Sequence, residues 1–207
     1  MPNLPISRPH MPRPVRMRST RASVEPAVAP AVRREVVASS ALRWINIERP
    51  QAADGEWLLQ EFGFHPLDLE DVFSRNQRPK LDTYDEYLFL VMQFPTYEKA
   101  RRRLISVELD VFIGPDYLVT LPNHELPPLE ALFERFQERE DLRDTTFSKG
   151  SGYLLYRIID ACVDASFPML RKMGLKLEGL EDDIFEEERT EQIVRELNDL
   201  KLEIISF

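Results

Sequence analysis

The residues best suited to chemistry in this chain lie in one acidic stretch, residues 62–87. Within it, Glu70 and Asp71 are adjacent carboxylates, and a rigid segment at residues 77–80 follows them. Hard cations such as Mg²⁺ bind oxygen ligands and keep several of their waters, so one or two carboxylates on a protein surface suffice to hold an ion. The stretch is therefore a candidate metal site, although its residue types alone are more typical of an ordinary solvated surface.

Because Glu70 and Asp71 are adjacent in sequence, their ability to bind the same metal ion is limited. Neighbouring side chains on a helix point about 100° apart, so Glu70 and Asp71 cannot easily chelate one ion within a single helix. Each carboxylate suits a different ion at an interface, with the remaining ligands supplied by water or by another surface.

Other reactive chemistry lacks the residues that it needs. The sequence contains no nucleophile-elbow, phosphate-loop, dinucleotide or zinc-protease motif. His65 and His124 adjoin helix-boundary or turn residues, so we expect structural roles for both. Cys162 is the single cysteine, which excludes an intrachain disulfide, and it lies on an apolar helical stripe, where burial suppresses thiol reactivity. We therefore expect that the chain is not an enzyme.

Short elements must position the acidic stretch. Gly63 suits the left-handed position after a helix over residues 56–62, and Pro66 suits the first turn of a second helix over residues 66–73. Strands are predicted on both sides of this helical pair, and the last three of them form an antiparallel meander because their connections are short. The predicted strands cover residues 42–47, 87–92, 104–113 and 117–121, and a further helix begins near Pro127.

From residue 151 onward the apolar spacing is helical. Pro168 is expected to kink or divide this helix, and a heptad seam begins at Leu170. Thr190 caps a second seam, and a reversal candidate at residues 186–189 separates the two, so we expect a long antiparallel helical hairpin. The helical pattern reaches the last residue without a terminator, which favours a chain cut before a longer helix.

The charge divides the chain. Residues 1–43 hold eight Arg against two Glu, a net +6, with seven prolines and no glycine, whereas residues 44–207 carry a net −15. Repeated proline prevents helix formation, so residues 1–41 are predicted to be a disordered basic tail. The acidic body argues against nucleic acid as a partner. The longest apolar run has only six residues, whereas a membrane-spanning helix needs about 20.

The acidic stretch also resembles a known family, the CorA divalent-cation transporters, in their cytoplasmic domain. The similarity covers roughly residues 44–207 in colinear order. It rests on Trp44-Ile45-Asn46, Gly63-Phe64-His65-Pro66-Leu67, Leu69-Glu70-Asp71, Gln77-Arg78-Pro79-Lys80, Tyr84-Asp85-Glu86-Tyr87 and residues 153–160, Tyr-Leu-Leu-Tyr-Arg-Ile-Ile-Asp. The Gln-Arg-Pro-Lys segment with the preceding Leu-Glu-Asp is its most specific part.

The resemblance implies a fold and a function. It implies an α/β class, an α/β/α sandwich with a largely antiparallel or mixed sheet over residues 42–150, followed by the helical hairpin over residues 151–207. It implies the metal-sensing cytoplasmic part of a homopentameric Mg²⁺/Co²⁺ transporter of the inner membrane, whose membrane helices lie beyond this chain. The positions that match the family's regulatory Mg²⁺ sites, between neighbouring copies, are Glu70, Asp71 and Asp160.

Three alternatives stay open at this point. A ZntB-like zinc transporter shares the architecture, and the segment that would distinguish it follows the chain's last residue. A helical-hairpin module that binds a protein partner would have no membrane helices downstream. A metal-dependent hydrolase is the third, although no nucleophile or base converges on the acidic stretch.

Overall fold

A computed structural model describes residues 34–39, 41–74, 77–98, 103–183 and 190–205 of the chain. These residues form a six-stranded sheet covered by helices on both faces, the predicted α/β/α arrangement. The strands are β1 (Arg34–Ala38), β2 (Arg43–Ile47), β3 (Lys80–Thr83), β4 (Leu88–Glu98), β5 (Arg103–Ile113) and β6 (Tyr117–Pro122). The helices are α1 (Ala52–Phe62), α2 (Pro66–Phe73), α3 (Pro127–Glu138), α4 (Glu140–Phe147), α5 (Ser151–Asp183) and α6 (Thr190–Ile205).

The strands lie in the order β1-β2-β6-β5-β4-β3. Only the β2–β6 pair is parallel, so the sheet is mixed and mostly antiparallel, as predicted. The meander of β4, β5 and β6 is confirmed, and β3 extends it at one edge. The register places Lys80, Val91, Asp110 and Leu121 side by side across four strands.

Each face of the sheet has its own apolar core. On the first face, α3, α4 and the start of α5 cover Trp44 and alternate residues of β5, and the Trp44 ring meets the Phe133 ring edge-on at 4.8 Å. On the second face, α1 and α2 cover Ile45, Phe89 and Phe112. A strand covered on both faces buries residues of both parities, which explains the continuous apolar run at the start of β4.

Helix α2 begins and ends where the sequence predicts, whereas α1 ends at the predicted residue but begins at Ala52, four residues before the predicted start. Gly63 adopts a left-handed conformation (φ 67°) directly after α1, and its N–H donates to the Leu59 carbonyl. Helix α2 starts at Pro66 with His65 as its N-cap, whose Nδ1 accepts from the Leu67 N–H at 3.2 Å. The predicted structural role of His65 is confirmed.

The helical second half departs from prediction at two points. Helix α5 runs undivided from Ser151 to Asp183 with Pro168 inside it, so of the two predicted effects of Pro168, a kink or a division, the division does not occur. The predicted seam on α5 is only partly packed, because Leu170 and Leu177 are 58% and 38% exposed. On α6, Ile193 and Leu200 are buried. The predicted reversal at residues 186–189 lies outside the described residues.

The predicted disordered tail extends too far toward the body. Strand β1 lies within it and pairs antiparallel with β2. The Arg34 guanidinium bonds the Asp54 carboxylate at 2.8 Å and lies 4.5 Å from the centre of the Trp57 ring, and Val37 is buried in the first core. The sequence conceals this strand because arginines and prolines surround it. The rest of the predicted tail, residues 1–33, lies outside the described residues.

Candidate functional site

Helix α2 carries Glu70 and Asp71 and is anchored beneath by Asp68. The Asp68 carboxylate is buried and accepts hydrogen bonds from the Tyr84 hydroxyl at 2.9 Å and the Tyr87 hydroxyl at 2.8 Å. The Tyr87 hydroxyl also accepts from the His65 N–H at 2.8 Å. Burial and the Asp68 carboxylate raise the pKa of Tyr84 and of Tyr87. The tyrosines that follow the acidic stretch therefore hold the start of α2 against the sheet.

Asp71 points toward the edge strand β3, where a lysine meets it. The Lys80 ammonium lies 2.7 Å from Asp71 Oδ2 and 2.5 Å from Asp82 Oδ2. Burial alone would lower the pKa of Lys80, but the hydrogen bonds to both carboxylates outweigh it and raise that pKa above its ordinary value. The Asp71 side chain is one-quarter exposed. Glu70 is exposed.

The segment before Lys80 is fixed by polar contacts with the sheet. The Gln77 N–H donates to Glu108 Oε2 at 2.8 Å, and the Gln93 side chain donates to the Gln77 carbonyl at 2.7 Å. The Gln77 side chain in turn donates to the Ser74 hydroxyl at the end of α2. The Gln-Arg-Pro-Lys segment therefore connects α2 to β3 and holds Lys80 at Asp71.

Two acids beneath this segment escape prediction from sequence. Glu108 and Asp110 follow each other on one face of β5 and are buried, and one oxygen of each has no hydrogen-bond partner among the described residues. Burial, with the Glu108 and Asp71 charges, raises the pKa of Asp110 to about 8, and Lys80 offsets part of this effect. Burial raises the pKa of Glu108 as well. In the sequence these two acids alternate with apolar residues such as Val107 and Val111, a pattern typical of a strand with one solvated face. In the three-layer fold that face is covered by α2 instead.

Asp160 lies on the opposite side of the sheet from the other two predicted ligands, Glu70 and Asp71. It is half-buried on α5, which packs on the first face of the sheet, whereas α2 packs on the second. The structure therefore brings Glu70 and Asp71 together on one helix but does not bring Asp160 to them. No group of three or more His, Cys, Asp or Glu side chains suited to a metal ion occurs among the described residues. The described residues of one copy thus supply too few ligands for a closed metal site.

Cys162 is buried in the first core, as predicted, and burial raises its thiol pKa to about 12. A thiol with that pKa is almost entirely protonated near neutral pH and is a poor nucleophile. Cys162 of α5 thus contributes to packing in the first core.

Comparison with known proteins decides the family. The family described as CorA-like Mg²⁺ transporter protein matches residues 39–207. The chain belongs to the CorA family. It is 31% identical over 170 residues to the cobalt/magnesium transport protein CorA of Thermotoga maritima, covering 79% of this chain and 48% of that protein. It is 34% identical over 139 residues to the putative metal ion transporter YfjQ of Bacillus subtilis, covering 67% of this chain and 41% of that protein.

The solved structures agree on the fold. The soluble domain of CorA from Methanocaldococcus jannaschii matches with a TM-score of 0.68 at 18% identity, over 80% of this chain and 64% of that chain. The cytoplasmic domain of ZntB from Vibrio parahaemolyticus matches with a TM-score of 0.56 at 15% identity, over 81% and 64% of the two chains, which makes it a relative in fold alone.

The extent of the chain also follows from these matches. The chain spans about half the length of the curated CorA-family relatives that it matches. Over the described residues, no helix combines the length and apolar character needed to cross a membrane. The family is one of transport proteins, which fits the expectation that the chain is not an enzyme.

Proposed function

We propose that this chain is the Mg²⁺-sensing cytoplasmic part of a CorA-type transporter of the inner membrane, which carries Mg²⁺ and Co²⁺ as a homopentamer. In this proposal the regulatory ion binds between neighbouring copies. Glu70 and Asp71 of one copy contribute ligands on one side, Asp160 of the next copy contributes on the other, and water completes the coordination.

The placement of the three carboxylates carries the proposal. Glu70 and Asp71 lie on α2, which packs against the second face of the sheet. Asp160 lies on α5, which packs against the first face. Carboxylates on opposite faces cannot share an ion within one copy. They can share one when copies pack side by side, because each copy then presents one face to each neighbour.

The physical effect is relief of charge repulsion. The body of each copy carries a net −15 over residues 44–207, so acidic faces repel when copies approach. A bridging divalent cation removes this repulsion and stabilises the packed arrangement. At about 100 times its dissociation constant, an ion favours the bound state by about 2.7 kcal/mol per independent site. Several such sites in a ring hold a closed channel, and Mg²⁺ depletion shifts the population toward open states.

The test uses the full-length transporter that contains this chain. Mg²⁺ is titrated while protease protection and ion flux are measured in parallel. We expect Asp71→Ala and Asp160→Ala to shift both responses to about tenfold or higher Mg²⁺ concentration, because each removes a ligand. The exposed Asp116→Ala, which also removes one acidic side chain, is the matched control and should respond as wild type. Unchanged responses in both ligand variants would show that these carboxylates are ordinary solvated acids.

A further inference from the structure

We propose that Lys80 is a tethered competitor of the divalent cation at Asp71, so that it sets the cation concentration at which this site fills. The inference rests on the proposed function, since it concerns regulation of the same site. It assigns to the Gln-Arg-Pro-Lys segment a role in tuning affinity, in addition to its role in connecting α2 to β3.

The contacts of the Lys80 ammonium carry the inference. It lies 2.7 Å from Asp71 Oδ2, so it competes for a carboxylate oxygen that a divalent cation would also bind. Among the described residues, no other cation forms an ion pair with Asp71. The ammonium also lies 5.1 Å from the centre of the Phe89 ring, so the sheet beneath holds the side chain in place.

A second acceptor makes displacement possible. Asp82 Oδ2 lies 2.5 Å from the same ammonium, so Lys80 can leave Asp71 and remain paired. Release then costs one of two charge-assisted hydrogen bonds instead of exposing an unpaired buried charge. An ion on Asp71 Oδ1 meets the same competitor, because the ammonium stays within a few ångströms and repels it.

A purely structural ion pair would behave in the opposite way. If Lys80 only fastens α2 to β3, removing its charge loosens α2 and leaves Mg²⁺ affinity unchanged or weaker. If Lys80 competes, removing its charge makes binding tighter. The sign of the change therefore separates the two roles.

The experiment titrates MgCl₂ into the 207-residue chain at low ionic strength and follows the backbone amide of Asp71 by two-dimensional NMR. We expect Lys80→Met to lower the Mg²⁺ dissociation constant about tenfold, because a charge near the ion is removed. Lys80→Arg keeps the charge and should stay near wild type. Lys149→Met is the matched control and should leave the constant unchanged. It removes the same charge from an ammonium that also lies over a ring, 4.3 Å from the centre of Tyr153, in the part of the fold that covers the first face.

A second pair of variants tests the hand-over without altering Lys80. Asp82→Asn removes the alternative carboxylate and confines the ammonium to Asp71, so it should weaken Mg²⁺ binding. Asp85→Asn, which removes an exposed carboxylate nearby, is the matched control. Asp82→Asn should weaken Mg²⁺ binding more than this control does. Equal effects of these two variants would contradict the hand-over.

The outcomes distinguish failure of the inference from failure of the proposed function. If Asp71→Asn abolishes the Mg²⁺ response at this amide while Lys80→Met matches or weakens wild-type binding, the inference is overturned and Asp71 remains a ligand. If no variant, including Lys80→Met, shows a Mg²⁺ response at Asp71, the inference is overturned, whereas the proposed function is decided by the flux and protease measurements on the full-length transporter. Tighter binding in Lys80→Met, with an unchanged control, supports the inference.

Discussion

At the scale of single residues, the least expected feature is a buried carboxyl group with no partner for one of its oxygens. Asp110 is 1% exposed, and its Oδ1 accepts no hydrogen bond from the part of the chain that the structure describes. Because burial and neighbouring charges raise its pKa to about 8, the folded state keeps a proton that the unfolded chain loses near its ordinary pKa. The Asp110 contribution to stability is therefore complete below about pH 4 and is lost as the pH rises through about 8.

We predict that Asp110→Asn removes this pH dependence. The neutral amide approximates the protonated carboxyl. The free energy of unfolding of the variant should therefore increase relative to that of wild type as the pH rises from 5 to 9. The gain should approach at most about 1.4 kcal/mol per pH unit. Urea unfolding at four pH values measures it, with the exposed Asp116→Asn as control. A difference between variant and wild type that stays constant from pH 5 to 9 would show that Asp110 does not titrate in this range.

At the scale of elements, the position of Asp71 depends on how α2 is held. One hydroxyl, that of Tyr87, bonds both the Asp68 carboxylate and the His65 N–H at the start of this helix. A small element of eight residues has little packing of its own, so its placement rests on such polar anchors.

We predict that Tyr87→Phe lowers the free energy of unfolding by about 1–3 kcal/mol, because it leaves the His65 N–H and one oxygen of Asp68 without partners. It should also speed amide hydrogen exchange in α2 more than in α3, which lies on the other face. Tyr97→Phe, at a side chain that is 49% exposed, is the matched control and should change little. Equal losses in the two variants would mean that the hydroxyl of Tyr87 is not the anchor.

Elements with strong local sequence signals are predicted correctly in this fold, whereas elements whose structure depends on neighbouring strands or helices are missed. Helix α2 is predicted to the residue because Pro66 and its cap determine where it starts. Strand β3 is missed because it has four residues with one apolar side chain, Leu81, and takes its structure from pairing with β4. The ion pair of Asp71 with Lys80 is missed for a related reason, since the two meet only when α2 crosses the edge of the sheet.

At the scale of the whole molecule, charge and apolar surface act against each other. The net −15 over residues 44–207 opposes association, whereas α5 exposes Phe167 and Leu170 by 61% and 58%, which favours it. Which effect dominates depends on ionic strength, because salt screens repulsion over about 10 Å at 0.1 M and leaves apolar contacts intact.

We predict that the 207-residue chain is monomeric at low ionic strength without divalent cations and self-associates as NaCl is raised to about 1 M, where the screening length falls to about 3 Å. Phe167→Ser with Leu170→Ser should abolish that salt-induced association. Sedimentation velocity measures it, with Leu81→Ser, an exposed apolar residue on the edge strand, as control. A stable pentamer at low salt without metal would contradict this prediction.

The length of α5 gives the molecule a mechanical property. Its side chains in the core, Leu154, Ile158 and Cys162, all lie within its first twelve residues, and the helix continues for about 30 Å beyond them at 1.5 Å per residue. A tilt of about 5° at the core would therefore move the far end of a straight helix of this length by about 3 Å. Asp160 lies in the anchored part, close to the pivot. A small displacement at the Asp160 surface would thus give a larger displacement at the far end of α5, where α6 packs against it.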